Sequence, residues 1–296
     1  MTIVLGDNQY GKAEVRLVRV NRDDARHELT DLNVSVALAG DFLDVHRTGD
    51  NAGVLPTDTQ KNTVYAFAKE APVGEIEEFG LRLARHFVDN TPLVHRARVH
   101  LEQYAWERVE TGGAAHPHAF VRSGPERRTA TVTCADGEAW VVSGLTDLVV
   151  LKSTGSEFWG YVKDRYTTLE ETTERILATA VTARWRHAHL SVDWAASYAE
   201  TRRQLVETFA CKHSLSLQET LYAMGEAVLS ARPEIAEIRM AMPNKHHFLV
   251  DLSRFGLENN NEVFYAADRP YGLIEGSLQR DDAPSAGLAW SASPFV

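Results

Sequence analysis

The stretch from Leu148 to Arg175 gathers residue types suited to holding a flat anion. Leu148-Val149-Val150-Leu151 reads as a buried strand that ends in Lys152-Ser153-Thr154 and runs into Gly155-Ser156-Glu157-Phe158-Trp159-Gly160-Tyr161, with Tyr166, Leu169 and a lone Arg175 beyond. In a strand-to-helix turn, exposed aromatic faces would stack on a planar ligand. A guanidinium fork would pair with its edge through two parallel hydrogen bonds. The plainer reading keeps Phe158, Trp159 and Tyr161 in a core and Arg175 at the surface, because aromatic side chains mostly serve packing. Residue type alone favours the plainer reading.

Other polar residues stand in similar balance. Lys12 precedes a strand, Thr57 follows Pro56 where it would cap a helix with Asp58 assisting, and Gln218 falls in a first helical turn. Taken singly, each reads as solvated. His116-Pro117-His118 and His187-Ala188-His189 mimic metal pairs, since alternate strand residues share a face, but neither has a third ligand at suitable spacing. No metal site is expected.

The elements that would position these residues come in two similar rhythms. Ala13 to Val20 and the alternating Val34, Val36 and Leu38 read as strands. Asn62 to Lys69 and Glu75 to Val88 read as helices, with Ile76, Phe79, Leu83 and Phe87 at helical spacing. Strands return at Ala97, Val99 and Leu101, which oppose Arg96, Arg98 and His100, and at Ala130, Val132 and Cys134. Thr111-Gly112-Gly113 and Ser123-Gly124-Pro125 read as turns. The order then repeats: strands at Glu138 to Leu151 and Ala178 to His189, and helices marked by Trp194, Tyr198, Leu205 and Phe209 and by Leu217, Leu221, Met224 and Val228. Strands follow at Ile238, Met240 and Met242 and at Glu262 to Tyr265. This predicts an α+β fold of antiparallel sheets with helices on one face, in two tandem domains, 1–136 and 137–296, joined near Asp136-Gly137. The edges of such sheets must be paired, so a homo-oligomer is expected.

Composition narrows the function. The chain has 296 residues, 44% apolar and 24% charged, with a net charge of -10 from 41 acidic and 31 basic residues. That is a folded globular mix, and the charge argues against nucleic-acid binding, which needs Lys and Arg on phosphates. A locally positive pocket for a small anion remains compatible with it. Cys134 and Cys211 stand apart and read as reduced thiols, although one disulfide between them stays open. No apolar run spans a membrane. Met1 to Asp7 is no secretory signal and Ser293-Pro294-Phe295-Val296 is no Ser-Lys-Leu peroxisomal address, so the expected location is the cytoplasm.

The spacing from Leu148 through Lys152-Ser153-Thr154, Ser156, Phe158, Tyr161, Tyr166 and Leu169 to Arg175 resembles the signature of the urate oxidases. Four further segments resemble that family in its order: Tyr10-Gly11-Lys12; Thr57-Asp58 with Lys61-Asn62-Thr63; Leu217-Gln218 with Thr220; and Pro243-Asn244-Lys245-His246. The resemblance implies two tunnelling-fold domains whose sheets close into a barrel in a homotetramer, with active sites shared between subunits. It implies that Phe158 stacks on the purine, Arg175 clamps one edge, Gln218 presents its amide, Leu217 its backbone, and Leu169 walls the pocket. It further implies that Lys12, Thr57 and His246 handle protons, that Thr57 and Asp58 also meet the substrate from the neighbouring subunit, and that Asn244 borders the place of oxygen or water. Pro56 departs from many relatives, and it restricts the backbone beside a residue whose N–H should bind the ligand.

The implied reaction takes urate, O2 and water to 5-hydroxyisourate and hydrogen peroxide without metal or organic cofactor. A lysine serves as base there only where burial or nearby positive charge disfavours its ammonium. Two alternatives differ in their requirements. A zinc-dependent pterin or purine hydrolase of the same fold needs a ligand triad, and a non-catalytic purine-binding protein would bind urate without releasing peroxide.

Overall fold

Alternation in the first half of the sequence becomes a sheet with one dry face. The structure, a computed structural model, describes residues 3–267 and 269–291. β1 (Tyr10–Asn21), β2 (Glu28–Gly40), β3 (Val94–Thr111) and β4 (Ala114–Ala135) pair antiparallel in that order. Between β2 and β3 lie a single turn, α1 (Leu43–Arg47), and two longer helices, α2 (Thr57–Glu70) and α3 (Ile76–Asn90). Val34, Val36 and Leu38 on β2, Ala97, Val99 and Leu101 on β3, and Ala130, Val132 and Cys134 on β4 are buried. They meet Ile76, Phe79, Leu83 and Phe87, which recur at three- and four-residue intervals on α3 and are each fully buried. Each such side chain removed from water stabilises the fold by roughly 1.5–3 kcal/mol.

The chain divides into two compact units, Met1–Gly144 with Arg186–Ala195 and Pro284–Val296, and Leu145–Trp185 with Ala196–Ala283. β5 (Glu138–Lys152) begins in the first and ends in the second. In the second unit the strand order is β5, β6 (Leu177–His187), β7 (Ile235–Pro243) and then β10 (Leu273–Gln279). α4 (Trp194–Cys211) and α5 (Leu217–Ala231) bring Leu205, Phe209, Leu217, Leu221, Met224 and Val228 onto Val181, Trp185, Ile238 and Met242. β8 (His247–Leu249) and β9 (Phe264–Ala266) form a separate two-stranded ribbon.

Three expectations change. The segment read as the last strand, Glu262 to Tyr265, contributes to that ribbon, and the partner of β7 is β10. Ser123-Gly124-Pro125 lies inside β4, where the pairing with β3 slips between Tyr104 and Trp106, so its turn residues serve a strand irregularity. The aromatic segment after Lys152 does not lead into a helix and stays irregular until β6. The two cysteines are free, Cys134 buried and Cys211 exposed. No helix among the described residues is long and apolar enough to cross a membrane. The terminal residues 293–296 lie outside the described residues.

One irregularity matters for chemistry. Lys12 pairs with Val36 and Val15 with Val34, so β1 carries one extra residue between them. Glu14 sits there at φ 57°, its N–H donating to Ser35 Oγ at 3.0 Å. Because side chains alternate along a strand, a regular β1 would send Lys12 and Val15 to opposite faces; the bulge puts both on the helix-covered one. Gly11 precedes it with no room for a side chain, since a Cβ would fall 1.8 Å from the Val36 carbonyl oxygen. Gly11→Ala should therefore lower stability by about 1–3 kcal/mol, as overpacking does. Gly6→Ala, with nothing within 4 Å of the new methyl, should change it little. Urea unfolding at fixed protein concentration distinguishes them, and equal midpoints would show that the β1–β2 approach yields freely.

Candidate active site

The expected residues form two groups, one in each unit. In the first unit, the Tyr10 hydroxyl accepts the Leu55 N–H at 3.1 Å, tying the entry of α2 to β1 two residues before Lys12. Pro56 occupies the N-cap position (φ -54°, ψ 141°) and offers no side-chain cap, so Thr57 is the first helical residue and not the cap expected from sequence. The first N–H groups of α2 thus face outward at the positive end of the helix, an arrangement that attracts anions. Asp58 does not assist a cap either. Its carboxylate accepts from Lys61 Nζ at 2.5 Å and Asn62 Nδ2 at 3.1 Å, which accounts for the Asp58, Lys61, Asn62 spacing. Lys61, then Asn62 and the charge of Lys12, hold the Asp58 carboxyl below its ordinary value. Lys12 is thereby placed within electrostatic reach of the start of α2.

In the second unit, the aromatic segment is hydrogen-bonded into place. Ser156 pairs in parallel with Ser214, the Glu157 N–H donates to Ser214 O at 2.7 Å, and the Ser214 N–H to Gly155 O at 2.9 Å. Phe158 exchanges both backbone bonds with Thr172 and stacks on Tyr161 at 4.9 Å and 17°. Arg175 donates its N–H to Ser156 O at 3.0 Å and its Nε to the buried Ser156 Oγ at 3.1 Å, leaving the guanidinium 5.2 Å from the Phe158 ring centre. Partial burial lowers the pKa of Arg175 from its ordinary value. Leu169 is exposed, and its carbonyl accepts the Tyr161 hydroxyl at 2.7 Å.

The Ser156–Ser214 pairing also locates α5. Ser216 caps it by accepting the Glu219 N–H at 3.1 Å. Leu217 turns its side chain into the core, which leaves its backbone at the helix start, while Gln218 is exposed on the first turn. The half-buried Lys152 donates to Lys212 O at 2.5 Å and to Ser214 Oγ at 2.7 Å, and Ser214 Oγ bonds Thr220 Oγ1 at 2.6 Å. Sequence reasoning quoted Lys152, Ser156 and Thr220 as matching positions but gave them no task. Their signal was polar residues at the end of a buried strand, with partners far along the chain.

Asn244 and His246 follow β7. The Asn244 N–H donates to Gly272 O at 2.7 Å, and Lys245 N to Ala178 O at 2.9 Å, which ties this turn to the start of β6 just beyond Arg175. The His246 ring lies parallel to Phe248 at 5.7 Å. Burial, then the positive charge of Arg175 and of His247, lowers the His246 pKa from its ordinary value and favours the neutral ring. Among the described residues, no three His, Cys, Asp or Glu side chains converge as metal ligands. His187 instead bonds Ser143 Oγ through Nε2 at 3.0 Å.

This arrangement can be set beside known proteins. The family model described as Uricase matches residues 8–133 and 141–275. Uricase of Arthrobacter globiformis is 55% identical over 289 residues, covering 98% of this chain and 94% of that protein. Uricase of Dictyostelium discoideum is 39% identical over 278 residues, covering 93% and 96%. The crystal structure of the Arthrobacter globiformis protein superposes with a TM-score of 0.94 at 54% identity, covering 99% of this chain and all 100% of that one. The fold is also that of urate oxidase from Bacillus sp. TB-90, with a TM-score of 0.79 at 22% identity, covering 92% of this chain and 100% of the other.

The coupling of Arg175 to His246 has a measurable sign. Positive charge beside an imidazole opposes its protonation, so Arg175→Gln should move the His246 pKa upward, with burial still holding it below 6.5. An NMR titration of the imidazole carbons reads this shift, and an unmoved midpoint would separate the two residues electrostatically.

Proposed function

The chain belongs to the uricase family, and we propose that it oxidises urate with O2 and water to 5-hydroxyisourate and hydrogen peroxide at a site assembled from its two residue groups. The single observation that carries this reading is the Arg175 guanidinium, held by Ser156 beside the Phe158 ring with no carboxylate bound to it among the described residues. A flat anion supplies both missing partners, a face for the ring and an acceptor edge for the fork.

In this proposal Phe158 stacks on the purine and Arg175 clamps its anionic edge. Gln218 sets its coplanar acceptor and donors against a ring carbonyl and N–H. The Leu217 backbone and Leu169 close the pocket wall. Lys12, Thr57 and Asp58 come from a second copy of the chain, so that two tandem tunnelling-fold domains, 1–136 and 137–296, build a homotetrameric barrel with shared sites. The free N–H at the start of α2 favours negative charge on the ligand beside Thr57.

Urate is already an anion, and loss of a second proton makes it electron-rich enough to reduce O2 without a cofactor. Lys12 takes that proton, Thr57 relays it through its hydroxyl, and His246, neutral in its half-buried setting, accepts or supplies another. Arg175 stabilises the charge that accumulates, and Asn244 helps hold oxygen or water over the ring. Urate, O2 and water together balance the hydroxylated product and peroxide. Holding the partners in contact accelerates the step by removing the entropy of encounter.

Chelator-treated protein mixed with urate in air should consume urate and release one peroxide per urate; loss of activity on chelation would favour the zinc hydrolase, and binding without peroxide the non-catalytic protein. Lys12→Met should lower turnover by about 10²–10⁴-fold, the usual worth of a general base, with urate still bound. Turnover like that of the parent would remove Lys12 from catalysis. Arg175→Ala should weaken urate affinity by about 10–100-fold, the scale of a charge-assisted pair, together with turnover, as steady-state kinetics can show.

A further inference from the structure

The face of the first sheet opposite its helices carries two arginines that the reaction does not use. Arg96, Arg98 and His100 alternate with the buried Ala97, Val99 and Leu101 and so point together away from the core. Small residues flank the arginines on both neighbouring strands. Arg96 lies between Ala39 and Ala135, and Arg98 between Ala37 and Thr133. One rung further, His100 lies between Ser35 and Thr131. The result is a trough with a basic rib, opening beside a cavity of about 340 Å³ bounded by Arg98, His100, Ser35, Ala37 and Gly11. Ser291 lies at one side, its carbonyl accepting from Arg98 Nη1 at 2.9 Å.

Among the described residues these guanidiniums have no anionic partner. Both are half-buried, and among the described residues Arg96 has no hydrogen-bond or ion-pair partner while Arg98 has only the neutral Ser291 carbonyl. Glu102, two rungs past Arg98 on the same face, already bonds Arg127 at 3.3 Å and Asn33 at 3.2 Å. It stands about 13 Å along the strand from Arg98, beyond direct pairing. Two neighbouring, partly desolvated cations without a counter-charge are costly unless an anion joins them. Burial and the adjacent Arg96 both disfavour the charged form of Arg98, as such a deficit requires.

We propose that Arg96 and Arg98, in the trough floored by Ala37 and Thr133, bind a small tetrahedral oxyanion of the phosphate class. Two guanidinium forks present several parallel N–H donors to such an ion, and the small flanking residues leave it space.

The test uses the intact protein and inorganic phosphate against chloride at matched ionic strength, followed by calorimetric titration and by the thermal midpoint. Saturable phosphate binding is expected in the parent. Arg96→Gln with Arg98→Gln should weaken it at least tenfold and leave urate turnover unchanged, which separates this site from the catalytic one. Ala37→Asp places a carboxylate directly across from Arg98. It should raise the midpoint in phosphate-free buffer and abolish the phosphate response, a result that does not depend on the double variant folding. No specific phosphate effect in the parent, or undiminished binding in either variant, overturns the proposal. So does dissociation of the assembly on losing the two arginines with no phosphate effect, which would assign them to a carboxylate on a second copy.

Discussion

The parallel pairing of Ser156 with Ser214 is the constraint on which the second group of site residues depends. It joins the aromatic segment after β5 to the loop before α5, and through it Phe158, Arg175 and Gln218 acquire a common frame. Neither partner segment is regular structure, so the frame rests on a few bonds from buried hydroxyls and on Lys152, whose ammonium donates to Ser214 Oγ. Buried polar groups of this kind are costly unless fully bonded, and once bonded they select one geometry. The same reasoning explains why a serine, which looks like a surface residue in a string of letters, sits fully buried at the centre of the arrangement.

Charge is distributed with equal economy. An acidic protein must create its anion site locally, and both groups do so with cations plus helix or backbone donors. At the start of α2, Lys61 and Asn62 occupy the Asp58 carboxylate, so this acid adds little negative field where Lys12 and the free N–H groups point. The His246 ring is biased toward its neutral form by burial and then by the charge of Arg175. A neutral imidazole can take a proton at one nitrogen and release one from the other with no net change of charge, whereas an imidazolium would compete for the anion.

Much of this was legible in the sequence, and the failures have physical causes. The period of Ile76, Phe79, Leu83 and Phe87 and the alternation on β2 to β4 were readable because one face of each element is dry. β10 escaped because Gly276 interrupts its apolar face; Leu221 fills that space, and a Cβ there would meet it at 3.0 Å. The face of Lys12 was unreadable, since one bulged residue reverses the alternation and nothing in Lys12-Ala13-Glu14-Val15 announces it. Lys152 and Ser156 were visible as matching positions, yet their work depends on Ser214 and Arg175, and long-range polar bonds leave no local period. The chemistry of Phe158, Arg175 and Gln218 came from resemblance, because residue type alone favours packing and solvation.

A half-buried arginine with no carboxylate is a stored demand for an anion, and among the described residues Arg175 and the Arg96–Arg98 pair make that demand. Several of its arginines are answered internally: Arg16 by Asp31, Arg128 by Glu75 and Glu77, Arg203 by Glu200 and Glu207. Arg175 is held by a hydroxyl and by its own backbone, which orient the fork without neutralising it, and in the proposed binding mode the substrate anion completes the pair. Arg96 and Arg98 follow the same logic on the opposite face of a sheet, with small residues in place of partners. Unneutralised guanidiniums reduce stability in the unliganded state. At both places the proposed anions, substrate and oxyanion, would supply the missing charge.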